Sequence, residues 1–188
     1  MAQHSRRQQR ETVRRDWAVA GLSAGGLLVA GYLAFTKASG GSALLCEAAG
    51  GCDVVQASRY ALFLGLPTAL WGAGLYAAIG VLALVGLTAR RWLAAFLLSV
   101  VGVTFSAYLT YLELFVIGAV CGYCFFSAGI AVALFGVLLA RRSRAPGRRS
   151  PVRPARVVAF GIITAVVTVI VGAGVFATHS PPEAGAYA

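Results

Sequence analysis

The sequence predicts an all-α integral membrane protein, a four-helix transmembrane bundle followed by a fifth transmembrane helix. Of its 188 residues, 59% are hydrophobic and only 12% are charged, whereas an ordinary soluble domain has roughly 25% charged residues. The mean hydropathy is +0.80. A bilayer-spanning helix needs about 20 mostly apolar residues, because backbone polar groups in hydrocarbon must be satisfied within the helix. Five stretches qualify, at about 17–35, 66–87, 92–117, 119–140 and 156–176.

These stretches predict the organisation of the chain. A basic lead is followed by the four-helix domain, which contains one sizeable polar loop, then by a linker rich in Arg and Pro, the fifth helix and a short tail. No second soluble domain is expected. The predicted boundaries are 1–16 for the lead, 17–140 for the four-helix domain with its loop at 36–65, 141–155 for the linker, 156–177 for the fifth helix and 178–188 for the tail.

The positive charge lies almost entirely on one side of the predicted bundle. Fourteen of the sixteen Lys and Arg residues precede the first helix, join the second to the third, or join the fourth to the fifth; only Lys37 and Arg59 lie on the other side. By the positive-inside rule, the N-terminus is cytoplasmic and the 36–65 loop faces outward. Attraction to anionic lipid headgroups also accounts for the net charge of +10. We therefore expect membrane lipid, and no nucleic acid, as a partner.

The outward loop carries two of the four cysteines, Cys46 and Cys52. Gly50 and Gly51 directly precede the second of them and permit a tight turn. Such a turn would bring the two thiols within the short separation that a disulfide requires.

A short helix is expected to follow Cys52. Asp53 would cap it and the helix would run through Tyr60, while Pro67 suits the first turn of the second transmembrane helix. Its apolar side chains would rest on the bilayer surface or on the bundle; they are Val54, Val55 and Leu62.

Polar side chains collect near the outer end of the third helix. An ionisable group inside a membrane span is expensive and indicates a function. The alternative is that Glu113 reaches the interface and that Tyr108 and Tyr111 belong to the aromatic belt. Both interpretations stay open. The polar residues are Ser106, Tyr108, Thr110, Tyr111 and Glu113.

The fourth helix begins with Cys121-Gly122-Tyr123-Cys124. Residues three apart in a first helical turn share a face, so Cys121 and Cys124 can form a disulfide or act as a dithiol. The positive end of the helix dipole favours a thiolate, which is the reactive form of cysteine.

Three interpretations of the four cysteines compete. The first is that the cysteines form two structural disulfides, although a disulfide within a CxxC motif closes a very short loop and so removes little entropy from the unfolded chain. A metal site is another, although the step from Cys46 to Cys52 is long and no His is near. Redox chemistry on the outer side, where disulfides form, is the interpretation that the pattern favours.

The residues also carry a resemblance. The chain contains Cys-x5-Cys-Asp-Val-Val-x-x-Ser-x-Tyr, then Gly-Leu-Pro-Thr-Ala-Leu-Trp-Gly, then Tyr-Leu-Glu-Leu, followed by Cys-Gly-Tyr-Cys. In this order and spacing, over about residues 17–140, it resembles the bacterial branch of the vitamin K epoxide reductase family.

The resemblance implies a bundle around a quinone, menaquinone or ubiquinone, with the loop half-helix as a lid. It implies a quinone-linked thiol:disulfide oxidoreductase of the bacterial inner membrane whose site faces outward. Electrons would pass from a reduced thioredoxin-like oxidase to the loop cysteines, then to the CxxC pair and the quinone, which supports disulfide bond formation.

Site roles follow residue by residue from the resemblance. Cys46 would exchange with the partner, Cys52 would form a transient disulfide with Cys121, and the Cys124 thiolate would reduce the quinone. Ser58 matches the loop serine of the family. From their position alone, we expect three further residues to contact the quinone or relay protons; they are Tyr108, Tyr111 and Glu113.

The chain departs from the family pattern in two ways. It contains no Asn, the residue whose amide holds the substrate oxygen in vertebrate members, so we do not expect epoxide reduction. No thioredoxin-like domain follows the fifth helix, so the partner is expected to be a separate chain. The alternative to an enzyme is a structural or metal-binding membrane scaffold with non-catalytic cysteines.

Overall fold

A computed structural model of the chain describes residues 15–40, 51–141 and 154–179. Five of its helices are long and apolar enough to cross a membrane, which confirms the prediction of an all-α, multi-pass membrane protein. Most of the predicted lead, linker and tail, together with Cys46 and Gly50, lies outside the described residues. In chain order the elements are α1 (Trp17–Ala38), α2 (Cys52–Ala57), a 3-10 turn (Arg59–Ala61), β1 (Leu62–Phe63), β2 (Leu66–Pro67), α3 (Thr68–Val85), α4 (Ala89–Leu112), a π-helical turn (Glu113–Ile117), α5 (Gly122–Arg141) and α6 (Pro154–His179).

The first four long helices form an antiparallel bundle. Helix α1 packs on α3 and α5, α4 packs on α3 and α5, and α6 lies along α4. We call the end where α1 and α4 finish and α3 and α5 begin the cysteine end. Helix α6 reaches the same end, because Phe176 near its C-terminus contacts the hairpin residue Phe63, with ring centroids 5.5 Å apart.

Close packing in the middle of the bundle depends on one glycine of α1. A Cβ at Gly26 would lie 2.5 Å from the ring of Tyr76 on α3, so only glycine leaves room for that ring. The Tyr76 hydroxyl donates to the Ser127 carbonyl of α5 at 2.7 Å. This single side chain therefore joins three helices, and its hydroxyl is satisfied, as burial of a polar group requires.

Polar contacts fasten the opposite end of the bundle. Asp16 caps α1 by accepting from the Val19 N–H at 3.3 Å, and its other oxygen lies 3.2 Å from Nε of Arg141. The buried indole of Trp92 donates to the Leu138 carbonyl at 2.9 Å. These contacts tie the start of α1 and the start of α4 to the last turn of α5.

The segment between α1 and α3 differs from its prediction. The short helix ends at Ala57, because Ser58 adopts an extended conformation, and the chain continues into a 3-10 turn rather than a helix through Tyr60. Gly51, and not Asp53, occupies the N-cap position, and no side chain caps the helix. We call residues 51–67 the cap segment.

A two-stranded hairpin completes the cap segment. Leu62 pairs with Pro67 and Phe63 with Leu66, so Pro67 lies one residue before α3 instead of in its first turn. Thr68 donates to the Tyr60 carbonyl at 3.0 Å. The hairpin is thereby fixed on the start of α3.

The apolar side chains of the cap segment divide between two faces. Val55 packs towards the bundle, against the cluster that contains Cys52, whereas Val54 and Leu62 are exposed. The sequence pattern allowed all three side chains to rest on the bundle, but only Val55 does so.

Candidate active site

Two thiols from distant parts of the chain meet at the cysteine end. Helix α2 presents Cys52, and the connection between α4 and α5 presents Cys121; both are 0% exposed and share a small apolar cluster with Leu33. Their side chains lie within hydrogen-bonding reach of each other. The geometry therefore suits thiol–disulfide exchange between these two residues.

This meeting depends on a close backbone approach. A Cβ on Gly51 would lie 2.7 Å from the carbonyl oxygen of Val120 and 2.9 Å from its backbone nitrogen. The φ of Gly51, −178°, is an extended value that any residue adopts, so the requirement is for space. The sequence singled out Gly51 for turn formation; the structure gives it a contact role.

The C-terminal end of α2 is held by a lysine side chain. Lys37, in the last turn of α1, donates from its ammonium group to the carbonyl of Gln56. A cation at a helix C-terminus stabilises the unsatisfied carbonyl groups there. Ser58 stands next to this contact and donates to the Val55 carbonyl at 2.7 Å. Lys37 and Gly51 thus fix α2 from its two ends.

The CxxC pair straddles the start of α5. Cys121 immediately precedes the helix and acts as its N-cap: its carbonyl accepts from the Phe125 N–H at 3.0 Å, and its sulfur accepts from the Cys124 N–H at 3.4 Å. Cys124 lies in the first turn. The two sulfurs are therefore neighbours, as the spacing predicted, although Cys121 lies just outside the helix.

Hydrogen bonds favour the thiolate at Cys121. The Cys124 thiol, the Cys124 N–H and the Cys52 thiol lower the pKa of Cys121 to about 7, while burial and the charge of Glu113 act in the opposite direction. Because the pKa falls below the usual value of about 8.5, a substantial fraction of Cys121 is ionised at neutral pH.

A buried carboxylate lies beside both thiols. Glu113 is 3% exposed, and its Oε2 accepts from the Cys121 N–H at 3.2 Å. The Cys124 thiol also lies within hydrogen-bonding reach of this carboxylate. The thiol therefore has two acceptors within reach, the Cys121 sulfur and the Glu113 carboxylate.

The backbone around Glu113 explains its position. The residue opens a π-helical turn, and the chain then reverses at Gly118, whose φ of +71° lies in the left-handed region that favours glycine. The Ala119 N–H donates to the Glu113 carbonyl at 3.2 Å and closes the reversal. Insertions of this kind occur often at functional sites, and here one brings the carboxylate to the CxxC pair.

One wall of a large cavity contains Cys124 but not the other two described cysteines. The cavity has a volume of about 860 Å³, within the range of about 300–1,000 Å³ typical of small-molecule sites. Its wall is mainly apolar, and α3, α4 and the cap segment supply most of it. Polar groups reach it at a few points, including Cys124, Glu113, Ser58, Ser127, Thr110 and Ser106.

Only one of the three residues predicted to contact the quinone lines the cavity. Glu113 lies on the cavity wall. Tyr111 is 55% exposed and packs on Phe115, with ring centroids 5.1 Å apart, and Tyr108 stacks on Phe176 at 6.1 Å. Neither tyrosine is among the residues that line the cavity.

Two groups of residues near the site were not predicted from the sequence. The first is Lys37. In the sequence it is an exception to the charge asymmetry, and a lysine on the side opposite to most cations was the only sign of a specific contact. The cavity-lining residues of α6 carried no signal, since an apolar residue in a membrane helix is expected whatever it faces. They are Val167, Thr168, Val171 and Gly172.

Comparison with known protein families gives one match. A family model described as the vitamin K epoxide reductase family matches residues 17–139. The match covers more than half of the chain, from α1 almost to the end of α5, and it includes every cysteine.

Substitution of Gly51 tests the backbone contact. In a background of Cys46→Ala and Cys124→Ala, only Cys52 and Cys121 remain, and mild oxidation should join them. Gly51→Ala should slow this disulfide formation roughly tenfold, because the added Cβ must push α2 away from Val120. Thiol-specific mass tagging followed over time gives the rate. Gly129→Ala is the matched control, since nothing lies within 4 Å of a Cβ at that position; equal rates in the two variants would contradict the role of Gly51.

The acidity of Cys121 can be read from thiolate absorbance in the fully reduced protein. We expect one thiolate to appear with a midpoint near pH 7, because the thiolate is present above the pKa and the pKa is lowered. In Cys124→Ala the largest stabilising hydrogen bond is lost, so the midpoint should rise towards the ordinary value of about 8.5. Absence of any thiolate below pH 8 in the unsubstituted protein would refute this assignment.

Proposed function

The chain belongs to the vitamin K epoxide reductase family, and from this premise we propose that it is a quinone-dependent thiol oxidase of the bacterial inner membrane. It would reoxidise a separate, extracytoplasmic thioredoxin-like oxidase and so support disulfide bond formation. Membership in the family makes it a membrane oxidoreductase. The observation that carries the more specific proposal is the division of the cysteines, with Cys121 against Cys52 and Cys124 on the cavity wall.

The first exchange takes place at the loop pair. A thiolate of the reduced partner attacks Cys46 in the Cys46–Cys52 disulfide, and Cys52 leaves as a thiolate. The second partner thiol then attacks its own mixed disulfide and releases Cys46. The partner leaves with a disulfide, and the loop pair has gained its two electrons and two protons.

The second exchange passes these electrons to the CxxC pair. The Cys52 thiolate attacks Cys121 in the Cys121–Cys124 disulfide, the bond between those two sulfurs breaks, and Cys124 is released. Cys46 then attacks Cys52, which restores the loop disulfide and releases Cys121. The contact between Cys52 and Cys121 supports this order, and the lowered pKa of Cys121 makes it a good leaving group.

The cavity fits a quinone. Its wall is mainly apolar, as an isoprenoid quinone requires, and its few polar groups include the thiol and the carboxylate needed for a two-electron, two-proton reduction. When bound, a quinone would accept both electrons and both protons and leave as the quinol. Cys124, which faces the cavity, would donate the two electrons to the quinone. The Cys121–Cys124 disulfide would form again as the two sulfurs join.

Glu113 would handle the protons. Its carboxylate lies within hydrogen-bonding reach of the Cys124 thiol, and it is on the cavity wall. A carboxylate in this position accepts the thiol proton as the thiolate forms and passes it towards an acceptor in the cavity. Its hydrogen bond from the Cys121 N–H holds it in place throughout.

The charge distribution supports an orientation with the cysteine end outside. In the sequence, fourteen of the sixteen cations lie before or at the start of α1, near the α3–α4 connection or near the α5–α6 connection, and the described helices meet these segments at the end opposite the cysteines. Lys37, one of the two exceptions, is engaged with the Gln56 carbonyl. A site that faces outward lies in the compartment where protein disulfides form and persist.

Reconstituted protein given a reduced CxxC partner and either menaquinone or ubiquinone analogue tests the proposal. We expect cysteine-dependent quinol formation, followed optically, with turnover abolished in Cys124→Ala. When the partner is added in its disulfide form, the Cys46 thiolate of Cys52→Ala should attack it and give a mixed disulfide, with one partner thiol released, whereas Cys46→Ala should give none. Absence of cysteine-dependent quinone reduction would favour the scaffold alternative, and retained turnover in Cys124→Ala would remove the role of that residue.

Glu113→Gln tests proton transfer separately. The amide oxygen can still accept from the Cys121 N–H, but the side chain no longer takes up a thiol proton. We expect quinol formation to fall by roughly 10²-fold, while formation of the Cys52–Cys121 disulfide stays near its normal rate. Asp53→Asn makes the same chemical change on an exposed carboxylate of α2 and should leave both rates unchanged. Unchanged quinol formation in Glu113→Gln would exclude the proton role.

A further inference from the structure

The fifth long helix, α6, supplies part of the cavity wall although it lies outside the segment matched by the family model, which ends at residue 139. Val167, Thr168, Val171 and Gly172 line the cavity. Residues with this spacing lie on one face of a helix. The cavity is therefore incomplete without an element that the family-matched segment does not contain.

Aromatic contacts hold this face of α6 in place. The ring of Phe176 packs on Phe63 of β1 at 5.5 Å, on Tyr60 of the 3-10 turn at 5.5 Å and on Phe105 of α4 at 6.5 Å. A Cβ on Gly172 would lie 3.6 Å from the Phe105 ring, so the two helices are in direct contact there. Helix α6 is thus joined both to the bundle and to the cap segment.

The cavity is open on the side between α3 and α6. Both helices pack on α4, but within the part of the chain that the structure describes they make little contact with each other. Cavity-lining residues from both helices are about half-exposed there: Leu70 and Trp71 on α3, and Val167 and Val171 on α6. Because both helices line the cavity but make little contact with each other, a gap between them borders the cavity on this side of the bundle.

The opening lies within the apolar zone of the protein rather than at its end. Val171 is eight residues before the end of α6, about 12 Å along the helix axis at 1.5 Å per residue. The side chains at the opening are apolar, and the hydroxyl of Thr168, the threonine of α6 that lines the cavity, donates to the Thr164 carbonyl at 2.8 Å. A ligand that reaches the cavity this way comes from hydrocarbon and meets only apolar groups.

We propose that α6 forms the outer wall of the quinone cavity and, with α3, bounds a lateral opening that holds the isoprenoid tail of the quinone. This inference rests on the proposed function, because it assigns the occupant of the same cavity. The opening is continuous with the wall that carries Cys124 and Glu113, so a headgroup at the thiol places its tail between the two helices. Val167 and Val171 are then residues that select for the tail.

Val171→Trp, which adds bulk at the opening, tests the proposal. The KM for a quinone with several isoprenoid units, divided by the KM for a tail-less analogue, should rise roughly tenfold, since apolar pockets discriminate by about that factor for changes in fit. Ile170→Trp is the matched control: it introduces the same side chain one residue away, at an exposed position outside the cavity lining, and should leave the ratio unaltered. An unaltered ratio in Val171→Trp would overturn the proposal.

A second measurement does not depend on the variant or on turnover. A quinone that carries a photoreactive group on its tail should label residues 157–178, with labelling reduced by excess long-tailed quinone but not by excess phospholipid. Labelling confined to α3 and α4, or competition by phospholipid alone, would show that α6 contacts lipid and not the tail. Because turnover of the tail-less analogue by the unsubstituted protein tests the proposed function by itself, failure of that function and failure of this inference give different results.

Discussion

The contact between the backbones at Gly51 and Val120 determines whether the cysteines of this protein form one site. Helix α2 has only six residues, too few to be stable by itself, so its position is set by what it touches. One end abuts Val120 and the other is held by the ammonium group of Lys37. Between these two points Cys52 has little freedom, and its thiol lies against Cys121. Precise placement of reacting groups is a large part of how enzymes accelerate exchange reactions.

Cys121 and Cys124 are chemically the same kind of group, and their different surroundings give them different roles. Cys121 is completely enclosed and is surrounded by hydrogen-bond donors, an environment that favours a thiolate and a good leaving group. Cys124 borders an apolar cavity and has two acceptors for its proton. The carboxylate of Glu113 accepts from the Cys121 N–H, and its charge disfavours the Cys121 thiolate, but the hydrogen bonds to the Cys121 sulfur outweigh this effect. The arrangement therefore favours ionisation of one thiol and transfer of the proton from the other.

Much of the fold could be predicted from the sequence, and the site only in part. Hydropathy alone located the five spans, because the bilayer imposes length and composition directly. Spacing placed Cys121 beside Cys124, a local relation within one turn. The cap at Gly51 in place of Asp53, the end of α2 at Ala57 and the π-helical turn at Glu113 depend on contacts between distant segments. The role of α6 was equally unreadable, because a membrane helix is apolar on every face, whether it meets lipid or a cavity.

The position of Cys124 on the cavity wall, with Cys121 turned away from it, has a consequence for how the protein can change. In the proposed relay, the thiol partner reacts at the Cys46–Cys52 pair and the quinone reacts at the Cys124 side of the CxxC pair, so the two substrates do not share a pocket. Direct, uncontrolled reaction between them is therefore prevented by geometry. Under this proposal, recognition of the two substrates is separable: substitutions around the loop cysteines would alter which thiol protein is accepted, and substitutions between α3 and α6 would alter which quinone is used. Each preference can be tuned in evolution, or by design, without disturbing the other.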